Sequence, residues 1–143
     1  MKEYQSLSHT RWDCKYHVVF IPKRRKKRIF GTLRRHLGEL FHELVSHKES
    51  RVVEGHLMPD HVHMCLSIPP KYAVSNVVGY VKGKSAIAIA RRFGGREKNF
   101  AGEVFWARGY FVSTVGLDEE MVRAYIRNQE QEDERYDQMK LGL

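Results

Sequence analysis

Two histidines, His61 and His63, flank a single valine in the run His61-Val62-His63. On a β-strand, residues i and i+2 share a face, so both imidazoles project together and can grip one cation while Val62 turns the other way. The same spacing also suits two surface polar residues of a half-exposed strand, so the pair is a candidate metal site by type and position. Late in the chain, Tyr125 and Gln129 stand four apart, which stacks them on one face of a helix. A phenol and an amide oxygen on one element can supply a nucleophile and a third ligand; packing of the ring against a core is the ordinary alternative. Tyrosine has a reference pKa near 10, so at neutral pH about one phenol in a thousand is ionised. Attack on a phosphodiester therefore needs help, which a divalent cation gives as a Lewis acid on the phosphate. Such an attack forms a phosphotyrosine ester and releases a sugar hydroxyl. Because the bonds made and broken are alike, the step can be reversed or redirected to a new end without ATP. That is strand transfer rather than hydrolysis.

Mg²⁺ or Mn²⁺ suits two imidazoles, one amide oxygen, a phosphate oxygen and water, and zinc fits the same ligand types. His56, on the preceding strand, is a candidate extra ligand, with packing or exposure as the bland reading. Asp60 either holds the far nitrogen of a ligating imidazole or only makes the turn.

The elements that must position these groups are legible from periodicity. Trp12–Ile21 is rich in β-branched and aromatic residues and stops at Pro22, which predicts a buried strand. Leu33, Leu37, Leu40, Phe41, Leu44 and Val45 recur at helical spacing over Leu33–His47. Arg51–Leu57 and His61–Ile68 are strand-like and are joined by Met58-Pro59-Asp60, a hairpin signal. After Pro69-Pro70, Ala73–Phe93 is a second helical candidate ending at Gly94-Gly95. Glu103–Val115 then reads as a strand broken at Gly109. Asp118-Glu119-Glu120 places carboxylates where a helix N-terminus favours them, opening a final helix to about Met139. Its apolar stripe (Met121, Val122, Ile126) ends at Ile126, and the polar remainder is free to be mobile or to dock on another subunit. The order β-α-β-β-α-β-α implies an α+β fold. Its first six elements match a ferredoxin-like split βαβ sandwich, an antiparallel sheet with helices packed on one face, and a C-terminal helix follows.

With 143 residues, the chain forms one domain, 1–143. No apolar run is long enough to span a membrane, the first ten residues lack a secretory h-region, and Cys14 and Cys65 form no disulfide framework. A cytoplasmic setting is the expectation. Net charge is +8 and is divided unevenly. Residues 1–117 carry 21 Lys/Arg and 9 Asp/Glu, a balance of +12, whereas residues 118–143 carry 4 and 8, a balance of −4. A basic body is the footprint of a polyanion binder, or simply a solvated surface. For phosphate-backbone contacts the first candidates are Lys23, Arg24, Arg25, Lys26, Lys27 and Arg28, followed by Lys82, Lys84 and Arg108. Tyr110, Phe111 and Trp106 can stack bases, although core packing is the commoner use of strand aromatics.

Taken together, these motifs resemble the single-tyrosine HUH transposases of insertion sequences that move as single-stranded DNA, the IS200-like family. The resemblance rests on Lys15-Tyr16-His17-Val18-Val19-Phe20, Met58-Pro59-Asp60-His61-Val62-His63, Gly79-Tyr80-Val81-Lys82-Gly83-Lys84-Ser85, Phe105-Trp106-Ala107-Arg108-Gly109-Tyr110 and Tyr125-Ile126-Arg127-Asn128-Gln129, in that order. It implies that His61, His63 and Gln129 hold a divalent metal, Mg²⁺ or Mn²⁺, and that Tyr125 is the nucleophile. It also implies a homodimer in which the C-terminal catalytic helix of one protomer completes the partner's site. Activity would be cleavage and rejoining of single-stranded DNA at element ends through a 5′-phosphotyrosine, with hairpins recognised there. Relatives associated with scattered palindromic repeats share the motifs, so membership of a mobile element stays open. Two other readings keep the scaffold: a non-catalytic DNA- or RNA-binding regulator, and a relaxase-like nickase, for which 143 residues is short.

Overall fold

The computed structural model describes residues 5–7, 10–93, 105–114 and 119–140. In chain order the elements are β1 (Gln5–Leu7), β2 (Thr10–Trp12), β3 (Lys15–Phe20), a 3-10 turn (Lys23–Arg25), α1 (Gly31–Ser46), β4 (Arg51–Met58), β5 (His61–Ser67), α2 (Val74–Phe93), β6 (Phe111–Ser113) and α3 (Glu119–Lys140). β1 and β2 form a small hairpin of their own, and the main sheet runs β4-β5-β3-β6 with every neighbouring pair antiparallel. Each helical crossing, β3-α1-β4 and β5-α2-β6, straddles a strand belonging to the other. This is the split βαβ arrangement expected from the sequence.

Alternation along the central strands sorts their side chains onto two faces. Val18 and Phe20 of β3 and Val62, Met64 and Leu66 of β5 are buried against α1 (Leu37, Phe41, Leu44, Val45) and α2 (Val77, Val78, Val81, Ile89). Trp106 closes this core, its ring 4.7 Å from Phe20 and nearly perpendicular to it, with its Nε1 donating to Ser85 Oγ at 2.9 Å. On the opposite face, Val19 and Ile21 pack with Ala107 against Val122 and Ile126 of α3. The helices flanking the main core thus lie on one side of the sheet and α3 on the other.

One residue sets the phase of β4. Val52 pairs with Leu66, but the next pair is Glu54 with Cys65, so Val53 is an extra residue, a β-bulge. Beyond it Gly55 and Leu57 oppose Met64 and Val62 of the core face, while Glu54 and His56 oppose Cys65 and His63.

Three expectations are corrected. The first strand is not continuous: Trp12 pairs with Gln5 in the small hairpin, and the sheet strand begins at Lys15. The last strand is only Phe111–Ser113, preceded by an isolated bridge between Pro22 and Trp106. The reason is a contact from α2. The Lys82 ammonium donates to the carbonyls of Ala107 (2.8 Å) and Gly109 (2.6 Å), and Gly109 adopts φ +78°, turning the chain before β6. The polar end of α3 is also not solvated all round, since Asp133 is buried and accepts a hydrogen bond from the Arg24 backbone N–H at 3.0 Å. The expected helix stop at Gly94-Gly95, the start of the last strand at 103–104, Val115 and Asp118 lie outside the described residues.

Candidate active site

β5 carries His61 and His63 on the face away from α1 and α2, with Val62 fully buried between them in the main core. β5 is a central strand, bonded to β4 and β3, so both imidazoles stand on rigid backbone. Asp60, in the two-residue turn before β5, places Oδ1 2.9 Å from His61 Nδ1 and accepts at Oδ2 from Arg25 Nε at 3.2 Å. Burial pushes the Asp60 carboxyl up, but the His61 hydrogen bond and the charges of His61 and Arg25 outweigh it and hold the group below the usual carboxylate range. With Nδ1 held, His61 leaves Nε2 free for a cation. A carboxylate behind a ligating imidazole is the common support of such sites.

His63 lies between two further rings. His17 of β3 places Nδ1 3.2 Å from His63 Nε2, and His56 of β4, directly across the strand pair, stacks 5.7 Å away at 22°. His56 in turn pairs with Glu54 at 2.8 Å. Burial, followed by the charges of His17 and His56, lowers the His63 pKa from its ordinary value, which favours the neutral form a metal ligand must have. Sequence reasoning assigned no role to His17. Alternation along β3 put it on the open face, but the register that sets it beside His63 is a long-range property.

These groups line a cleft of about 540 Å³ that is walled on the helix side by Val122, Arg123 and Ile126. A neighbouring cleft of about 750 Å³ is bordered by Arg25, Asp60, Arg123 and Arg127, and His61 lines both. The structure does not bring Tyr125 and Gln129 onto the two histidines of the same chain. Tyr125 packs 6.0 Å from Phe111 of β6, its hydroxyl buried with no hydrogen-bond partner among the described residues. Burial, with a smaller push from Asp133, raises its pKa above the ordinary phenol value. Gln129 Nε2 donates to the Arg108 carbonyl. Both side chains therefore sit on the flank of α3 toward β6, which pairs with β3 alone among the described strands and is an edge of the sheet.

The basic candidates divide by environment. Lys26 and Lys27 are exposed, whereas Arg25 joins Asp60 and, at 3.4 Å, Glu130 of α3. Arg28 lies over the Phe105 ring at 4.6 Å, and Lys84 is exposed beside Tyr80. Arg24 and Arg25 both have positive φ (61° and 53°), so the turn presents these residues in the left-handed region. Lys82 differs from the expected solvent-facing cation. Its ammonium holds the 107–109 loop, and burial lowers its pKa to about 8. Trp106 is core, as its residue type favoured.

The family described as transposase, IS200 like, matches residues 10–129. The chain belongs to the IS200-like transposase family. A curated relative, the transposase for insertion sequence element IS200 of Salmonella typhimurium, is 41% identical over 141 residues, covering 99% of this chain and 93% of that one. Among solved structures, a Deinococcus radiodurans R1 chain described as a transposase superposes with a TM-score of 0.77 at 24% identity, covering 90% of this chain and 98% of its own. The structure of a REP-associated tyrosine transposase bound to a REP hairpin gives a TM-score of 0.55 at 12% identity, covering 88% and 68%. At these identities the two structures speak to the fold, which they share with this IS200-like chain. No helix among the described residues is long and apolar enough to cross a membrane.

Proposed function

We propose that this IS200-like transposase cleaves and rejoins single-stranded DNA at insertion-sequence ends through a 5′-phosphotyrosine on Tyr125. A divalent cation, Mg²⁺ or Mn²⁺, would be held by His61, His63 and Gln129. The observation that carries the reading is the histidine pair itself: two imidazoles on one face of a central strand, His61 backed by Asp60, opening into a cleft. The donor set fits the cation, since His61 keeps Nε2 unengaged and His63 is held toward its neutral form. When bound, the cation supplies Lewis-acid polarisation of the scissile phosphate.

The chain's own part is positional. The Tyr125 oxygen loses its proton, attacks phosphorus and forms the phosphotyrosine bond, and the bond to the departing 3′-oxygen breaks. That oxygen takes up a proton as the free hydroxyl. Rejoining runs the same exchange with a different 3′-hydroxyl. Within one chain Tyr125 and Gln129 face the β6 edge rather than the histidines. This supports a homodimer in which α3 of one protomer completes the site of its partner across that edge. Lys26 and Lys27, exposed just after the 3-10 turn, and Lys84, exposed on α2, together with Lys23, Arg24, Arg25, Arg28 and Arg108, are assigned to the DNA backbone. Lys82 instead anchors the 107–109 loop from which Arg108 projects. Hairpin recognition is proposed by kinship with the relative solved on a REP hairpin.

The test is a denaturing gel of labelled single-stranded oligonucleotides from the DNA flanking the gene, incubated with protein and Mn²⁺ or Mg²⁺. A labelled species shifted by the mass of the protein, absent with Tyr125→Phe, is expected. Cleavage retained by Tyr125→Phe would sink the nucleophile assignment. Binding without covalent attachment would leave a DNA-binding regulator as the reading.

A further inference from the structure

His17 and His56 are the two imidazoles in the cleft to which the proposed chemistry gives no part, and His17 is the one within hydrogen-bond distance of His63. Its place is set by β3, which is bonded on both sides, to β5 and to β6. Its Nδ1 stands 3.2 Å from His63 Nε2, the ring centroids 5.4 Å apart and the planes inclined at 31°. Two ring nitrogens at that distance need one N–H and one lone pair between them, because two N–H groups or two lone pairs repel. If His63 accepted at Nε2, its neutral ring would carry its proton on Nδ1 and keep no lone pair for a metal. A ligating His63 must therefore donate from Nε2.

We propose that His17 is a positioning residue for the metal centre, accepting at Nδ1 a hydrogen bond from His63 Nε2–H and so fixing His63 with Nδ1 as its donor nitrogen. The inference rests on the reading of His61 and His63 as ligands. It makes the two halves of the site alike: Asp60 holds His61 by Nδ1, and His17 holds His63 by Nε2. The contact of His17 is that of a hydrogen-bond partner rather than a ligand, because its Nδ1 faces a ring nitrogen of His63 at 3.2 Å. His56 is a weaker candidate for the same part. It stacks on His63 face to face, and its Nε2 is engaged by Glu54, so it offers His63 a surface rather than a hydrogen bond.

Mn²⁺ titration of the full chain, read by the electron paramagnetic resonance of free Mn²⁺, tests this with wild type, His61→Ala, His17→Ala, His17→Asn and His17→Gln. Losing a hydrogen-bond partner of a ligand costs roughly 10- to 100-fold in metal affinity, and that is the loss expected for His17→Ala. Asn carries an amide oxygen where His carries Nδ1, so His17→Asn is expected to keep most of the wild-type affinity. Gln, whose amide sits farther out, is expected to lose it. The rise in melting temperature on adding Mn²⁺ should follow the same order, while melting in chelator stays common to the variants. Should His17→Ala fail to fold, the Asn–Gln contrast decides, and equal affinity in those two overturns the proposal. Wild-type affinity in His17→Ala, with binding lost in His61→Ala, overturns the role of His17 and leaves the metal site standing. No binding in wild type, or unchanged binding in His61→Ala, overturns the metal site and this inference together.

Discussion

The Tyr125 hydroxyl is buried against Phe111 with no hydrogen-bond partner among the described residues, and a polar group so placed costs about 1–3 kcal/mol. Tyr125→Phe removes the hydroxyl and keeps the ring. That variant is expected to melt at the wild-type temperature or above it while forming no covalent DNA adduct, which thermal scans and denaturing gels on one preparation would check. A clear loss of stability would show that the hydroxyl has a partner. His63 gives a pH dependence with a definite sign. Its folded pKa lies below the unfolded value, so between the two the unfolded chain binds more protons and stability rises with pH. Stability is accordingly expected to be lost as pH falls below about 6.5, the reference histidine value, toward the folded pKa. His63→Asn should lose less than wild type between pH 7.5 and 5.5 in chelator. The pair His61 and His63 was legible because a strand repeats every two residues, and the pair Tyr125 and Gln129 because a helix brings i and i+4 together. The convergence of His17 and His56 on His63 was not, because it depends on pairing registers spanning 46 residues and on a bulge without a local signature.

α3 is held by two kinds of contact. Val122 and Ile126 bury apolar surface on Val19 and Ile21, and Asp133 and Glu130 reach the 3-10 turn that opens the basic segment. Glu130 and Arg25 are both partly exposed, so their pair contributes at most about 1 kcal/mol. Asp133 is only 4% exposed, and removing its carboxylate leaves the Arg24 N–H without that acceptor. Asp133→Ala should weaken the docking of α3 by roughly 1.5–3 kcal/mol, seen as faster hydrogen exchange in α3 with β3 and β5 unchanged. Uniform exchange across all three elements would show that α3 is not a separate unit. The helix itself was plain in the sequence, as was the end of its apolar stripe at Ile126. Its attachment beyond that point was not, since the partner of Asp133 is 109 residues away. The shortening of the last strand was likewise hidden, because it depends on Lys82 reaching across from α2.

Across the whole molecule the sheet separates the main core, on the side of α1 and α2, from the candidate site, on the side of α3. The charge division between residues 1–117 (+12) and residues 118–143 (−4) gains a physical meaning here, because acidic residues of α3 rest on the basic turn. Lys26 and Lys27 are left exposed beside that contact. If each neutralises one phosphate, the double variant Lys26→Ala/Lys27→Ala should flatten the slope of log affinity against log salt by about 1.4 on single-stranded DNA. Fluorescence anisotropy at several salt concentrations measures this, and an unchanged slope would move the DNA path elsewhere. The fold class was recoverable from the succession of elements, but which face α3 would cover was not, since its apolar stripe fits either side.

At Val53 the polypeptide contributes length rather than chemistry. Its side chain is 42% exposed, so many residue types should serve there. Removing the residue is another matter, because β4 is written in two frames, one ending at Val52 and the other beginning at Glu54. With position 53 deleted, the strand keeps a single frame. Either Val52 leaves the core, or Glu54 and His56 turn inward as Leu57 turns out. A gap of one codon at this point would therefore disturb the ring beside His63 more than most substitutions there, although the deleted residue touches neither the cleft nor its histidines.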